Sequence, residues 1–466
     1  MFNSRLPRWL LLASLAGWSS LAPAQTSEAA TERERQLMER IRALEERLAA
    51  VEARLGPPPA QAPALPQTAA APANAAASGP QFSPTGDSPS LPGYAPGTTV
   101  NFLLDGYYEY NLNQPVGRVN LLRPFDPTAN SFTLNQAGIM VERSADTSLG
   151  RRLGFRLDLM FGQTPEALSG SPANEPRTAP YRNIVQAYGT YVVPAGNGLN
   201  VDFGRFISTL GFEGPYVKDQ VNYTRSFLFT ALPAYHMGVR STYKVNDRLT
   251  ASWLLVNGAN QMEDFNGFKS NDFMFSAALS KNLSWTGSYY VGRENRDLVE
   301  PAVISNLPPA LATQPGLSVE PVVPRPNGRT HIADTYFTWN ATPKLTLVAE
   351  GDYILSRLYS NSYPARVAGG AAYVKYQFVP SFSLAGRYEY VSDRGGYLSG
   401  ITQRLQEATV SAAFQPAPGF QLRGEFRRDY SNQPFFLSEA PGVLKRAQNT
   451  VLIGVLWWFG GKQGAW

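Results

Sequence analysis

Charged residues in this chain recur at every second position between apolar ones. Gln421-Leu-Arg423-Gly-Glu425-Phe-Arg427 sets Arg423, Glu425 and Arg427 against Leu422, Gly424 and Phe426. The same beat places Arg387 and Glu389 opposite Tyr388 and Tyr390, and Glu350 and Asp352 opposite Ala349 and Tyr353. It returns with Arg156 and Asp158 among Leu153, Phe155, Leu157 and Leu159, and with Asp105 and Glu109 against Leu104, Tyr108 and Tyr110. Asp202, Arg240 and Lys375 occupy equivalent positions on further segments. Side chains two residues apart share one face of a strand, so these groups form rows of fixed charge. Rows of both signs can orient a passing polar solute in a transverse field, or pair internally and stiffen a wall. Bond-breaking chemistry needs something more compact. The chain has 2 histidines, His236 and His331, far apart in sequence. It offers no Gly-x-Ser-x-Gly elbow, no paired metal-ligand spacing and no phosphate-binding loop. No enzyme, cofactor or metal is expected.

The elements that must position these rows are short alternating runs. Strands are predicted at 99–110, 131–142, 151–161, 182–192, 198–206, 235–245, 248–258, 269–280, 282–293, 330–340, 344–356, 366–378, 381–392, 404–415, 419–430 and 449–459. Most have the about 9–11 residues that a tilted strand needs to cross a hydrocarbon layer. Short connections such as Asn246-Asp247, Ala341-Thr342-Pro343, Val379-Pro380 and Pro416-Ala417-Pro418 alternate with longer ones. The long ones are 111–130, 162–181, 207–234, 294–329 and 431–448. Counted along the chain, every long connection falls at the same end. Outer-membrane barrels sort their connections this way, with short periplasmic turns and longer extracellular loops. The predicted fold is therefore all-β, a transmembrane antiparallel barrel of about sixteen strands with both ends of the barrel segment at the periplasm. Its apolar faces meet lipid. Its charges line a lumen too wide for wall side chains to fill. An arginine turned outward at mid-bilayer would cost about 2–4 kcal/mol, which pins the facing. Aromatic residues gathered near strand ends fit the headgroup level.

The segments before the barrel are of another kind. Arg5 and Arg8, an apolar stretch Trp9 to Ala16 and Ala22-Pro23-Ala24 read as a signal peptide over 1–24. In 25–55, Leu37, Ile41, Leu44, Leu48, Val51 and Leu55 repeat at alternating spacings of 4 and 3, a heptad seam. So short a helix is marginal alone, and burying the seam against copies of itself predicts a coiled coil that drives self-association. Residues 56–98, opening Gly56-Pro57-Pro58-Pro59, read as a Pro/Ala-rich linker. The barrel segment is 99–466. Cysteine is absent and the formal charge is +5, too small an excess to imply a nucleic-acid partner.

Five stretches carry a family resemblance. They are Ser131-Phe-Thr-Leu-Asn-Gln-Ala-Gly-Ile139, Gly154-Phe-Arg-Leu-Asp-Leu159, Val185-Gln-Ala-Tyr188, Val201-Asp-Phe-Gly-Arg-Phe-Ile-Ser-Thr-Leu-Gly-Phe-Glu213 and Asn222-Tyr-Thr-Arg-Ser-Phe-Leu-Phe-Thr230. Their order and spacing resemble the OmpL-like β-barrel porin family across most of 99–466. The resemblance implies an outer-membrane porin that passes small hydrophilic solutes by diffusion. It supplies no catalytic motif, and it leaves open the role of Gly204-Arg205-Phe206 and Gly211-Phe212-Glu213.

A pore needs a constriction, and 207–234 is the expected one. Leu210, Phe212, Tyr216, Phe227, Leu228, Phe229 and Leu232 are an apolar load unsuited to a loop left in water. Folded inward, the loop would bring Phe212, Glu213, Tyr216, Lys218, Asp219 and Arg225 toward the wall, by analogy with the third loop of general porins. The bland alternative packs it over the rim or against a neighbour. Expected partners are outer-membrane lipid, the barrel-assembly machinery and further copies of the chain, a trimer preferred as in trimeric porins. The rival function is a structural or adhesive protein tied to the cell-wall layer through the periplasmic coiled coil. The assembly signal is expected at Phe459, closing the last strand, or at Trp466.

Overall fold

A computed structural model describes residues 97–169, 178–297, 326–462 and 466. The signal-peptide, coiled-coil and linker assignments lie outside the described residues up to position 96. Sixteen antiparallel strands close into a barrel, each paired with its sequence neighbours. Closure joins Thr98–Asn111 to Ala447–Gly460, with Leu104 opposite Trp457 and Tyr110 opposite Val451. No strand boundary departs from the alternation-based reading by more than two residues.

Local chemistry explains the tight end. The Asn246 side-chain oxygen accepts the N–H groups of Arg248 and Leu249 at 2.8 and 2.9 Å. Thr342 does the same for Lys344 and Leu345 at 3.2 and 3.0 Å. Such side-chain turns replace backbone bonds where the chain reverses. At the other end stand the long loops, which among the described residues hold three short α-helices, Gln163–Leu168, Thr178–Tyr181 and Phe227–Ala231. A two-stranded ribbon, Phe436–Leu437 with Leu444–Lys445, lies in the last loop.

Facing follows the two-residue period. Phe132, Phe203, Ile453 and Phe459 stand exposed on the outside, while Asp105, Glu109, Asp158, Glu389 and Arg427 are buried inside. In one respect the interior differs from the charged, water-filled lumen expected from the strand count. Inward positions also carry Met140, Met160, Leu254, Ile332, Val348, Ile354, Val367, Val391, Leu405, Leu452 and Leu456, all buried. The width argument considered wall side chains alone. Main chain enters as well: the connection following Leu199–Ile207 runs through the interior and supplies Leu210, Phe212, Phe227, Leu228 and Leu232 to a core shared with Leu254, Ile332, Val348, Ile354, Val367, Val391 and Leu405, and Tyr216, Val217 and Tyr223 to a second one with Met140, Met160, Leu452 and Leu456.

Candidate functional site

The interior loop is built from a sequence that can turn sharply and then bury itself. Gly211 takes a left-handed φ of +86°, which glycine adopts at no steric cost. That turn delivers the Phe212 N–H to Glu350 at 2.8 Å and its ring to Tyr336 and Tyr373 at 5.7 and 4.9 Å. Glu213 pairs with Arg387 at 2.6 Å and accepts the Ser226 N–H at 2.7 Å. Tyr216 donates its hydroxyl to Asp158. Gln136 accepts from Val217 N–H and donates to the Pro215 carbonyl, at 3.1 and 2.6 Å. On the arc of wall between Asp158 and Glu350, Glu425 accepts the N–H groups of Tyr223 and Thr224 at 2.6 and 3.0 Å. Ser226 caps the helix Phe227–Ala231, whose first N–H groups, from Phe227 and Leu228, reach Glu389 at 2.7 and 2.6 Å.

The arginines complete a division of labour. Arg423 donates to the carbonyls of Val217, Asn222 and Lys218 at 3.1, 3.2 and 3.3 Å. Arg387 holds the Thr224 carbonyl at 2.7 Å, and Arg427 holds that of Arg225. Irregular backbone away from bulk water needs every N–H and C=O satisfied. Here wall carboxylates accept the loop's N–H groups and wall guanidiniums serve its carbonyls, so fixed charge replaces water. Arg225, on the loop itself, donates to Gly214, Tyr223 and Pro215 carbonyls with Phe125 beneath it at 4.4 Å. Burial pulls its guanidinium down to about 10, leaving it charged at neutral pH. Burial also pushes the Tyr216 and Tyr223 phenols well above their ordinary range. They remain donors to Asp158 and Asp105.

The other sequence-selected charges also lie on the inner face. Asp202 pairs with Arg240 at 2.7 Å and Arg156 with Asp158 at 2.9 Å. Glu109 accepts from Asn120 at 2.5 Å beside Arg123, which bridges to Asp126 at 3.1 Å and Asp429 at 3.7 Å. Lys375 is half-buried. Asp352 joins Asp334 and Glu350 in a group of three buried carboxylates. Lys218 pairs with Asp219 at 2.6 Å and stands 4.3 Å from the Trp466 ring. Burial draws its ammonium below the usual lysine range despite that carboxylate. Trp466 lies inside, its N–H on Asp219 at 3.0 Å, whereas Phe459 stands outside, stacked on Phe102 at 5.0 Å. His236 meets Ser208 at 3.1 Å, but its other nitrogen faces the Gly258 carbonyl at 3.0 Å rather than a carboxylate, and the pair is buried. That geometry lacks the orienting acid of a hydrolytic triad.

Above the helix, at the long-loop end, a cavity of about 620 Å³ is bounded by Thr230, Leu232, Asn260, Glu294, Arg296 and Tyr397. Glu407, Asp429 and Asp334 were missed by the sequence reading, although each falls at an inward position of a predicted strand. Arg123 and Trp466 had no periodic signal, because loops and ends carry none.

Residues 97–459 match the family model described as "Putative beta-barrel porin-2, OmpL-like". Among solved structures, the outer membrane channel DcaP of Acinetobacter baumannii aligns with TM-score 0.50 and 12% identity over 78% of this chain and 97% of that one. The anion-selective porin from Comamonas acidovorans gives 0.49 and 11% over 78% and 99%. OmpT of Vibrio cholerae in its trimer form gives 0.48 and 10% over 78% and 99%. At such identities the likeness is one of fold. No curated protein matches the chain significantly.

Proposed function

The chain belongs to the OmpL-like family of outer-membrane β-barrel porins, and from that premise we propose that small hydrophilic solutes diffuse through it past the loop of residues 208–234. The observation that carries this reading is the fastening of that loop to mid-strand wall residues across the barrel, Asp158 on one side and Glu350 on the opposite one, with Glu389 and Glu425 on the arc between them. A loop so held narrows the passage and makes selectivity depend on the side chains that the loop presents. The cavity of about 620 Å³ serves as the outer vestibule.

The remaining assignments rest on sequence. The heptad seam from Leu37 to Leu55 supports a periplasmic coiled coil that contributes to a homo-oligomer, with a trimer preferred. Its position before an exported barrel supports contact with the cell-wall layer, and the closing strand ending at Phe459 supports recognition by the barrel-assembly machinery.

Single-channel recording in planar bilayers tests the function. Wild type should conduct weakly, and a variant shortened within 211–229 should conduct several-fold more. Correctly inserted wild type without conductance would defeat the porin reading and favour the structural one. Unchanged conductance on shortening would move the constriction elsewhere.

A further inference from the structure

Strands Thr330–Thr342 and Leu345–Ser356 pair with Asp334 directly opposite Asp352 and Tyr336 opposite Glu350. All three carboxylates face inward and are 3%, 5% and 7% exposed. One oxygen from each lies within 4.8 Å of the other two. Like charges directly across a ladder repel each other, and burial removes the water that would screen them.

Several inner carboxylates elsewhere on the wall have cations. Glu407 has Arg387 and Arg427, Asp202 has Arg240, and Asp158 has Arg156. This arc of the wall is different. Five consecutive strands, Leu249–Val256, Ser270–Ala278, Leu283–Gly292, Thr330–Thr342 and Leu345–Ser356, contain no lysine or arginine. Glu350 is partly served, by Phe212 N–H and the Tyr373 hydroxyl, each at 2.8 Å. The four oxygens of Asp334 and Asp352 accept no hydrogen bond of proper geometry, although the Gly211 amide stands near Asp334. Two buried, mutually opposed carboxylates are thus left facing one another and a third.

We infer that Asp334, Glu350 and Asp352 form a divalent-cation site, and that calcium is the ion it takes. The donors are all hard oxygens, which select calcium, magnesium or manganese over softer metals. Calcium–oxygen bonds run about 2.3–2.6 Å, so ligands of one ion lie at most about 4.6–5.2 Å apart, the separation that this triad already has. Calcium tolerates mixed one- and two-oxygen carboxylate binding, whereas magnesium keeps several waters in a strict octahedron that so buried a cluster does not accommodate. Because Glu350 also holds the first turn of the interior loop, the ion ties loop and wall together at Gly211-Phe212.

The test uses the full chain refolded in detergent, stripped with chelator and titrated with calcium chloride by calorimetry, with metal content measured by atomic emission. One calcium per chain and a raised unfolding temperature are expected in wild type, both lost in Asp334→Asn/Asp352→Asn. Removing the repulsion should leave that variant at least as stable as metal-free wild type. Folding is checked by heat-modifiable migration, and Asp352→Asn alone, expected to bind at least tenfold more weakly, serves where the double variant does not fold. Wild type without saturable calcium binding at millimolar concentration would overturn the site and leave a carboxyl pair sharing a proton. Undiminished binding in the variants would also overturn it, and so would a preference for magnesium. None of these readings depends on conductance, so the site and the porin function stand or fall separately.

Discussion

Glu425 gives the sharpest test of how the interior loop is held. Its carboxylate accepts the Tyr223 and Thr224 N–H groups at 2.6 and 3.0 Å, the Thr224 hydroxyl at 2.5 Å and the Ser411 hydroxyl at 2.6 Å. Hydrogen bonds to a charged group contribute about 1.5–3 kcal/mol each. Four of them summed would overstate the effect, since they share one carboxylate and water can reach freed amides in an opened interior. Leaving a buried donor without its partner costs about 1–3 kcal/mol, and with water entering to serve some of the four donors a total of about 3 kcal/mol is expected. About 3 kcal/mol is roughly a hundredfold in an equilibrium constant. Glu425→Ala should therefore raise the exchange rate of amides in residues 220–228 by about two orders of magnitude. Glu425→Gln keeps one acceptor oxygen but sets an NH2 group against the other donors, and should give about tenfold. Hydrogen–deuterium exchange on the full chain in detergent reads both, with protection in Ala365–Val379 as the internal reference. If residues 220–228 stay as protected in Glu425→Ala as in wild type while the barrel is folded, the wall charge does not hold the loop.

Three further outcomes are expected. A Cβ at Gly454 would meet the Tyr223 ring at 2.5 Å, so Gly454→Val should displace that ring, break its bond to Asp105 and raise single-channel conductance; an unaltered channel would show that Tyr223 lies off the path. Phe426 faces outward on the strand that carries Arg427 inward, and Phe426→Arg should lower folding stability in lipid vesicles by about 2–4 kcal/mol at the bilayer midplane; a wild-type urea midpoint would contradict the facing. Ile41→Asp with Leu48→Asp should abolish oligomers of the full chain that depend on the tail, read by crosslinking, and an unchanged oligomer would assign association to the barrel walls.

The strands and their facing were legible without coordinates because both depend on local period. Alternation of Leu422, Arg423, Gly424, Glu425, Phe426 and Arg427 is decided by lipid on one side and its absence on the other, and a one-residue slip would turn every charge outward. Turn chemistry at Asn246 and Thr342 is equally local, so strand limits emerged to within two residues. The apolar content of 207–234 likewise marked that loop as unusual. What the sequence could not assign was partners. Glu425 meets Tyr223 across 202 positions and Phe212 meets Glu350 across 138, separations over which no periodicity extends. Only closure of the barrel sets those walls around one loop, which is why charges that read as the lining of open water serve instead as the solvent of a buried backbone. The opposition of Asp334 and Asp352 is of the same kind. Each was visible as an acidic residue on a strand, but only the register between two strands, neither of which carries a lysine or arginine, set their carboxylates against one another.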